Sequence, residues 1–205
     1  MNQHEQTTLD LIHQAAKTEF LDKGFRCASL RNIVKIAGVT TGAFYGYYHS
    51  KEALFEALVG KQYEVFMASY CKAQEDFANL PADQQPDNMG RISMQCMHDM
   101  LLYAYDNLEE FKLLLCCSEG TRFAGMIDEM VEIEVEGTHA YQEVLRKLGR
   151  PSPHIDPSLE HILITGMFHT FFELIIHEMP LKDAENYVRE MRAFYTAGWM
   201  KFMGQ

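Results

Sequence analysis

The segment SLRNIVKIAGVTTGAFYGYYHSK, residues 29–51, constrains the fold more than any other part of this chain. Leu30, Ile33, Val34 and Ala37 recur at helical spacing behind Ser29, a residue suited to an N-cap. Gly38 can take a positive φ at low cost, which predicts the helix stop. Val39 plugs the turn, Thr40 caps a second helix, and Ala43, Phe44 and Tyr48 recur at helical spacing within it. Two short helices joined by so tight a turn have the layout of a helix-turn-helix, whose second helix enters the DNA major groove.

Charge agrees with that layout. The chain holds 18 Lys and Arg against 29 Asp and Glu, a net charge of −11. From Lys23 to Lys51 there is no carboxylate, only Lys23, Arg26, Arg31, Lys35 and Lys51. An acidic chain with one acid-free basic segment is suited to meet a polyanion there. The same charges would fit a solvated helical hairpin equally well, and the turn sequence decides for DNA.

From Thr8 to Leu58 the chain resembles the N-terminal domain of TetR-family transcriptional regulators. The resemblance rests on four blocks in order. They are the lysine-glycine-aromatic corner of AAKTEFLDKGF, the Ala37-Gly38-Val39 turn, the aromatic helix GAFYGYYHS, and Ser-Lys-Glu-Ala-Leu at 50–54. It implies an all-α protein with an N-terminal three-helix DNA-binding domain and a larger helical domain for effector binding and dimerisation. The boundaries expected are 1–52 and 53–205.

The remaining sequence predicts helices throughout and nine in all. A long helix runs from Ser50 to about Leu80, and LPADQQPDNMG (80–90) reads as a loop. Helices are expected over 91–106, over LEEFKLLLCC, and over 119–148. A second loop, GRPSPHIDP, closes with Asp156 as N-cap and Pro157 at the first helical position. The last two helices, 157–179 and 181–203, meet at Pro180. No run of 18 apolar residues suggests a membrane span, and no basic-then-apolar leader stands at the N-terminus, so a cytoplasmic protein with no membrane partner is expected. Five cysteines without scaffold spacing read as reduced thiols.

Site residues follow from this frame. Thr40, Thr41, Gly42, Tyr45 and Tyr47 are left on the outer side of the second helix, where Thr41 can touch a base edge and Tyr45 a phosphate. Ser29 and His49 flank the motif, while Arg31 and Lys51 lie at positions that contact DNA in the family the chain resembles. One helix-turn-helix reads a half-site, so a homodimer on a palindromic double-stranded operator is expected. The resemblance puts the dimer seam on the last two helices, where His169, Phe172, Ile176, Phe194 and Trp199 are the candidates.

Met97, Met100, Leu101, Phe111, Phe123, Met126 and Met130 are candidates to line an adaptable apolar cavity. The family commonly binds small, largely apolar effectors in this region. Such an effector would release a repressor from its operator; the alternative is a constitutive DNA binder. No phosphate loop, nucleophile elbow, His-Glu-x-x-His or spaced Cys pair is present, so neither an enzyme nor a cofactor is expected. His169, Glu173 and His177 share a helix face and are the one basis for a metal-dependent alternative. Cys116 and Cys117 point about 100° apart on a helix and read as buried packing rather than a redox or metal clamp.

Overall fold

In the computed structural model, which describes residues 7–204, helices form where apolar spacing and caps predict them. Nine helices and no strand occur among the described residues. They are α1 (Thr8–Cys27), α2 (Leu30–Ala37), α3 (Thr41–Tyr45), α4 (Lys51–Ala78), α5 (Gln85–Asp106), α6 (Leu108–Cys117), α7 (Met126–Lys147), α8 (Pro157–Ile176) and α9 (Leu181–Phe202).

Two boundaries differ from the sequence reading. α5 begins at Gln85 rather than at 91, because Pro86 is tolerated in a first helical turn, where its missing N–H has no partner to lose. The Gln85 amide then donates to the Ala78 and Leu80 carbonyls at 3.2 and 3.1 Å, closing the end of α4. α7 begins at Met126 rather than at 119. Gly120 at φ +90°, with the Thr121 N–H donating to the Ser118 carbonyl at 2.9 Å, holds the preceding residues in turns.

The chain divides into two compact units, one of residues 1–64 with 107–124, the other of 65–106 with 125–205. The division falls inside α4 rather than at 52/53, and α6 joins the N-terminal unit. In that unit Thr7 and Asp10 cap α1 reciprocally, the Thr7 N–H donating to the Asp10 carboxylate at 3.0 Å. Phe20, Phe44, Phe55, Phe111 and Phe123 are fully or almost fully buried. Phe55 meets Phe20 and Phe25 edge-on, at centroid distances of 5.1 and 5.3 Å. Each such ring contributes roughly 1.5–3 kcal/mol by burial. Lys17 on α1 pairs with Glu109 and Glu110 of α6, at 2.9 and 2.6 Å.

The second unit packs α7 on α8 and α5 on α9. Asp156 caps α8, accepting from the Ser158 and Leu159 amides at 2.9 and 3.1 Å, with Pro157 in the first turn as expected. The Tyr105 hydroxyl donates to the Leu174 and Met179 carbonyls at 3.1 and 2.6 Å and ties down the end of α8. α8 contains no unbroken run of 18 apolar residues, yet by length and average composition, with a mean hydropathy of 1.4, it is apolar enough to cross a membrane. Its apolar character has a use within the unit, since Ile164, Phe168, Phe171, Phe172 and Ile175 are buried there. Phe172 lies 6.0 Å from the Phe66 ring and 5.2 Å from that of Phe171.

Candidate nucleic-acid interface and cavity

The turn between α2 and α3 is built as its residues dictate. Gly38 closes α2 at φ +67°, its N–H donating to the Lys35 carbonyl at 3.2 Å. Thr40 caps α3, its hydroxyl accepting from the Ala43 N–H at 3.1 Å, so its side chain is committed to the backbone. Phe44 is fully buried. Thr41, Gly42, Tyr45, Tyr47 and His49 are exposed, with Tyr45 at 51% and Tyr47 at 49%. Thr40, Thr41, Gly42, Tyr45 and Tyr47, expected on the outer side, are all exposed to solvent.

Ser29 and Lys51 take other parts than those expected. Ser29 occupies the N-cap position of α2, but its side chain makes no cap bond. Its N–H instead donates to Glu19 Oε1 at 3.1 Å. Glu19 is 3% exposed and accepts also from Lys23 Nζ at 2.9 Å and Asn32 Nδ2 at 3.4 Å. Lys51 donates from Nζ to the carbonyls of Phe25, Ala28 and Arg26 at 2.6, 3.0 and 3.3 Å, and lies 4.5 Å from the centre of the Phe25 ring. A cation bound by three carbonyls at the end of α1 acts as a structural strut, a role the sequence did not reveal. Glu19 and Lys51 thus brace both ends of the α1–α2 corner.

This bracing also sorts the basic segment. Lys23 is neutralised by Glu19, and Arg26 pairs with Glu119 at 2.6 Å. Arg31 and Lys35, exposed on α2, form no ion pair among the described residues. They are the cations of this segment available to a phosphate.

Behind the motif, His13 Nε2 of α1 lies 2.5 Å from the Tyr48 hydroxyl. Burial, and next the charge of Lys17, hold the His13 imidazole below its usual 6.5, outweighing Asp10. The unfolded chain therefore binds this proton more readily than the folded one. The stabilisation is complete above about pH 6.5 and is lost as the pH falls through the lower, folded value. A His13→Asn variant should show a flatter dependence of stability on pH between about 7 and 5 than the parent. Equal slopes in urea titrations would exclude His13 as the source.

The second unit contains a partly open cavity of about 140 Å³. Its walls come from α4 (Tyr70, Gln74), α5 (Met97, Met100), α7 (Glu134), α8 (Phe168, Phe171) and α9 (Arg192, Trp199). Of the seven residues expected to line a cavity, Met97 and Met100 do so; Leu101, Met126 and Met130 are buried but lie outside its lining. Phe111 and Phe123 belong to the core of the other unit. Buried apolar positions on different helices look alike in sequence, which is why periodicity does not separate them.

Glu134 accepts from the Tyr70 hydroxyl at 2.5 Å and from Gln74 Nε2 at 2.6 Å. Burial raises the pKa of its carboxyl, against the lowering effect of those two bonds. Cys96, also in the lining, is pushed up to about 12 by burial and is an inert thiol.

The residues expected at a dimer seam fall into three groups. His169 and Phe194 are exposed, Phe194 at 74%, and Ile176 is half-buried. Phe172 is fully buried in the core, and Trp199 is half-buried and lines the cavity. Ile162, 64% exposed on α8, is an outward apolar residue that the run of aromatics nearby masks in the sequence. Glu173 and His177 pair at 2.8 Å, and no three His, Cys, Asp or Glu converge into a metal-holding group among the described residues. Cys117 is buried and pushed up to about 11 by burial, while Cys116 is exposed, so only one of the two is core.

A capped pair of short helices with an outward Thr-Gly-Tyr face, set on a buried aromatic core, defines a helix-turn-helix protein. Residues 12–58 match the family model described as bacterial regulatory proteins, tetR family. A segment of 46 residues is 48% identical to an uncharacterized HTH-type transcriptional regulator, YdgC, of Bacillus subtilis strain 168. The aligned segment spans 22% of this chain and about a quarter, 24%, of that relative. Two solved structures share the fold over nearly the whole chain. PfmR, a TetR-family transcriptional regulator of Thermus thermophilus, has a TM-score of 0.54 at 17% identity, covering 92% of this chain and 95% of its own. GusR of Salmonella enterica has a TM-score of 0.53 at 16% identity, covering 100% of both chains. The N-terminal segment of the chain is thus similar to the DNA-binding part of the TetR family, and the fold as a whole is similar to that of TetR-family structures.

Proposed function

We propose that this protein is a cytoplasmic, homodimeric transcriptional regulator, a repressor released from a palindromic operator by a small molecule held in the second unit. The observation that carries the reading is the exposed Thr41, Gly42, Tyr45 and Tyr47 on a helix anchored by buried Phe44, with Arg31 and Lys35 exposed on the helix before it. Arg31 and Lys35 supply phosphate contacts that make binding steeply salt-dependent, and the face of α3 reads the major groove. The outward apolar residues Ile162 on α8 and Phe194 on α9 support self-association through these helices, giving two heads for two half-sites. The cavity supports the effector part of the reading. Operator and effector then bind with reciprocal coupling, each weakening the other by the same factor. No step of this reading is enzymatic.

Selection of bound fragments from random-sequence DNA at near-physiological salt tests it. A two-fold palindrome is the expected product, and Tyr45→Ala should weaken binding to it by about tenfold or more without lowering the melting temperature. A folded dimer that enriches no sequence would refute the regulator reading. A regulator that binds its palindrome with no ligand able to release it would instead be constitutive.

A further inference from the structure

We propose that the cavity of the second unit binds an organic anion, a carboxylate on a small apolar body, with Arg192 as its counter-ion. This rests on the reading of that cavity as the effector site and specifies the ligand's chemistry.

Arg192 is 7% exposed and is the one buried cation among the described residues. One guanidinium nitrogen, Nη2, donates to the Gly90 carbonyl, and the buried Nε has no partner among the described residues. No carboxylate pairs with Arg192 among them either. Of the buried carboxylates elsewhere, Glu19 holds Lys23, and Glu160 meets His139 at 2.8 Å through Oε2 while its Oε1 has no partner among the described residues. A buried charge is normally retained only where an opposite charge and hydrogen bonds compensate its desolvation. Among the described residues that compensation is missing for Arg192.

The walls do not supply it. Met97, Met100, Phe168, Phe171 and Trp199 are apolar or aromatic. The carboxyl among the lining residues, Glu134, is engaged by Tyr70 and Gln74, and burial favours its neutral form. With a small shift of the side chain to uncover Nε, which is closed to solvent here, a ligand carboxylate would accept the unmatched Nε–H and the remaining Nη2–H, the fork geometry for which guanidinium is suited. The rest of the ligand would lie on the apolar walls. A cavity of about 140 Å³ matches a body the size of one aromatic ring, the scale at which an apolar protein cavity holds benzene.

Trp199, the sole tryptophan of the chain, lines the same cavity and reports its occupancy by fluorescence. The test titrates the full chain with benzoate and phenylacetate, and with the matching neutral amides and benzylammonium. The expected result is that the acids bind at least about tenfold more tightly than their amides, with the cation weakest. Arg192→Met should erase the preference for acids and melt no lower than the parent in the absence of ligand, because it removes an uncompensated charge. Arg192→Lys keeps a cation there and should retain part of the preference, which leaves the test standing if the methionine variant does not fold.

Amides that bind as well as acids would overturn the proposal. So would an absence of any Trp199 response to acids up to tens of millimolar, or an acid preference that survives Arg192→Met. Operator binding, read in the same titration, separates this inference from the wider reading. A neutral probe that displaces DNA keeps the effector and removes the anion. Acids that bind by preference without displacing DNA keep the anion site and remove its role as effector site.

Discussion

Alanine in place of Glu19 should destabilise the protein by about 3 kcal/mol in urea titrations, the scale expected when a buried, hydrogen-bonded carboxylate is removed from its cation. Three groups lose their acceptor together: Lys23 Nζ, the Ser29 N–H and Asn32 Nδ2. The Ser29 N–H matters most, since it stands at the start of α2, where the Ser29 side chain offers no cap of its own. The effect has a pH signature. Burial raises the Glu19 pKa, but the bonds from Lys23, Ser29 and Asn32 outweigh it and hold the carboxyl below its usual 4.5. A group with a depressed folded pKa stabilises fully above the unfolded value and loses that contribution as pH falls through the folded one. The penalty of Glu19→Ala should therefore shrink below about pH 4.5. A penalty under about 1 kcal/mol at neutral pH, or one unchanged in acid, would place the stabilisation in packing instead.

Lys51→Met should cost a similar amount, about 3 kcal/mol, because it strips the charged donor from three carbonyls at the end of α1. Operator binding should fall with the fraction folded and recover when that fraction is restored by a stabilising osmolyte. Tyr45→Ala should behave in the opposite way, losing operator affinity at an unchanged melting temperature. This pair of variants separates the scaffold of the interface from its reading face. A Lys51→Met protein that melts like the parent yet fails to bind DNA would return Lys51 to a phosphate contact.

Much of the interface is legible along the chain because its parts are local. The Gly38 stop, the Thr40 cap, the buried Phe44 and the outward Tyr45 each depend on neighbours within about four residues, the range over which helical periodicity and capping act. Lys51 is not legible in this way. An exposed lysine near a recognition helix and a lysine folded back onto a carbonyl 26 residues away have the same sequence signature. Ser29 misleads for a related reason. The residue type suits an N-cap, and only Glu19, ten positions earlier, shows that the backbone amide is the group being satisfied.

Rules that act along the chain settle the all-α class, the two-helix turn with its outward face, the caps at Thr40 and Asp156, and a family likeness carried by short blocks. These depend on φ preferences, side-chain spacing and capping chemistry that operate within a turn or two of helix. Packing between helices settles the rest. It puts α6 with the N-terminal unit, makes Phe111 and Phe123 part of that unit's core while Met97 and Met100 face the cavity, and buries Arg192 without an anion. An apolar stripe states that a face must be buried, but the partner that buries it is chosen by contacts between residues as distant as Gly90 and Arg192, 102 positions apart.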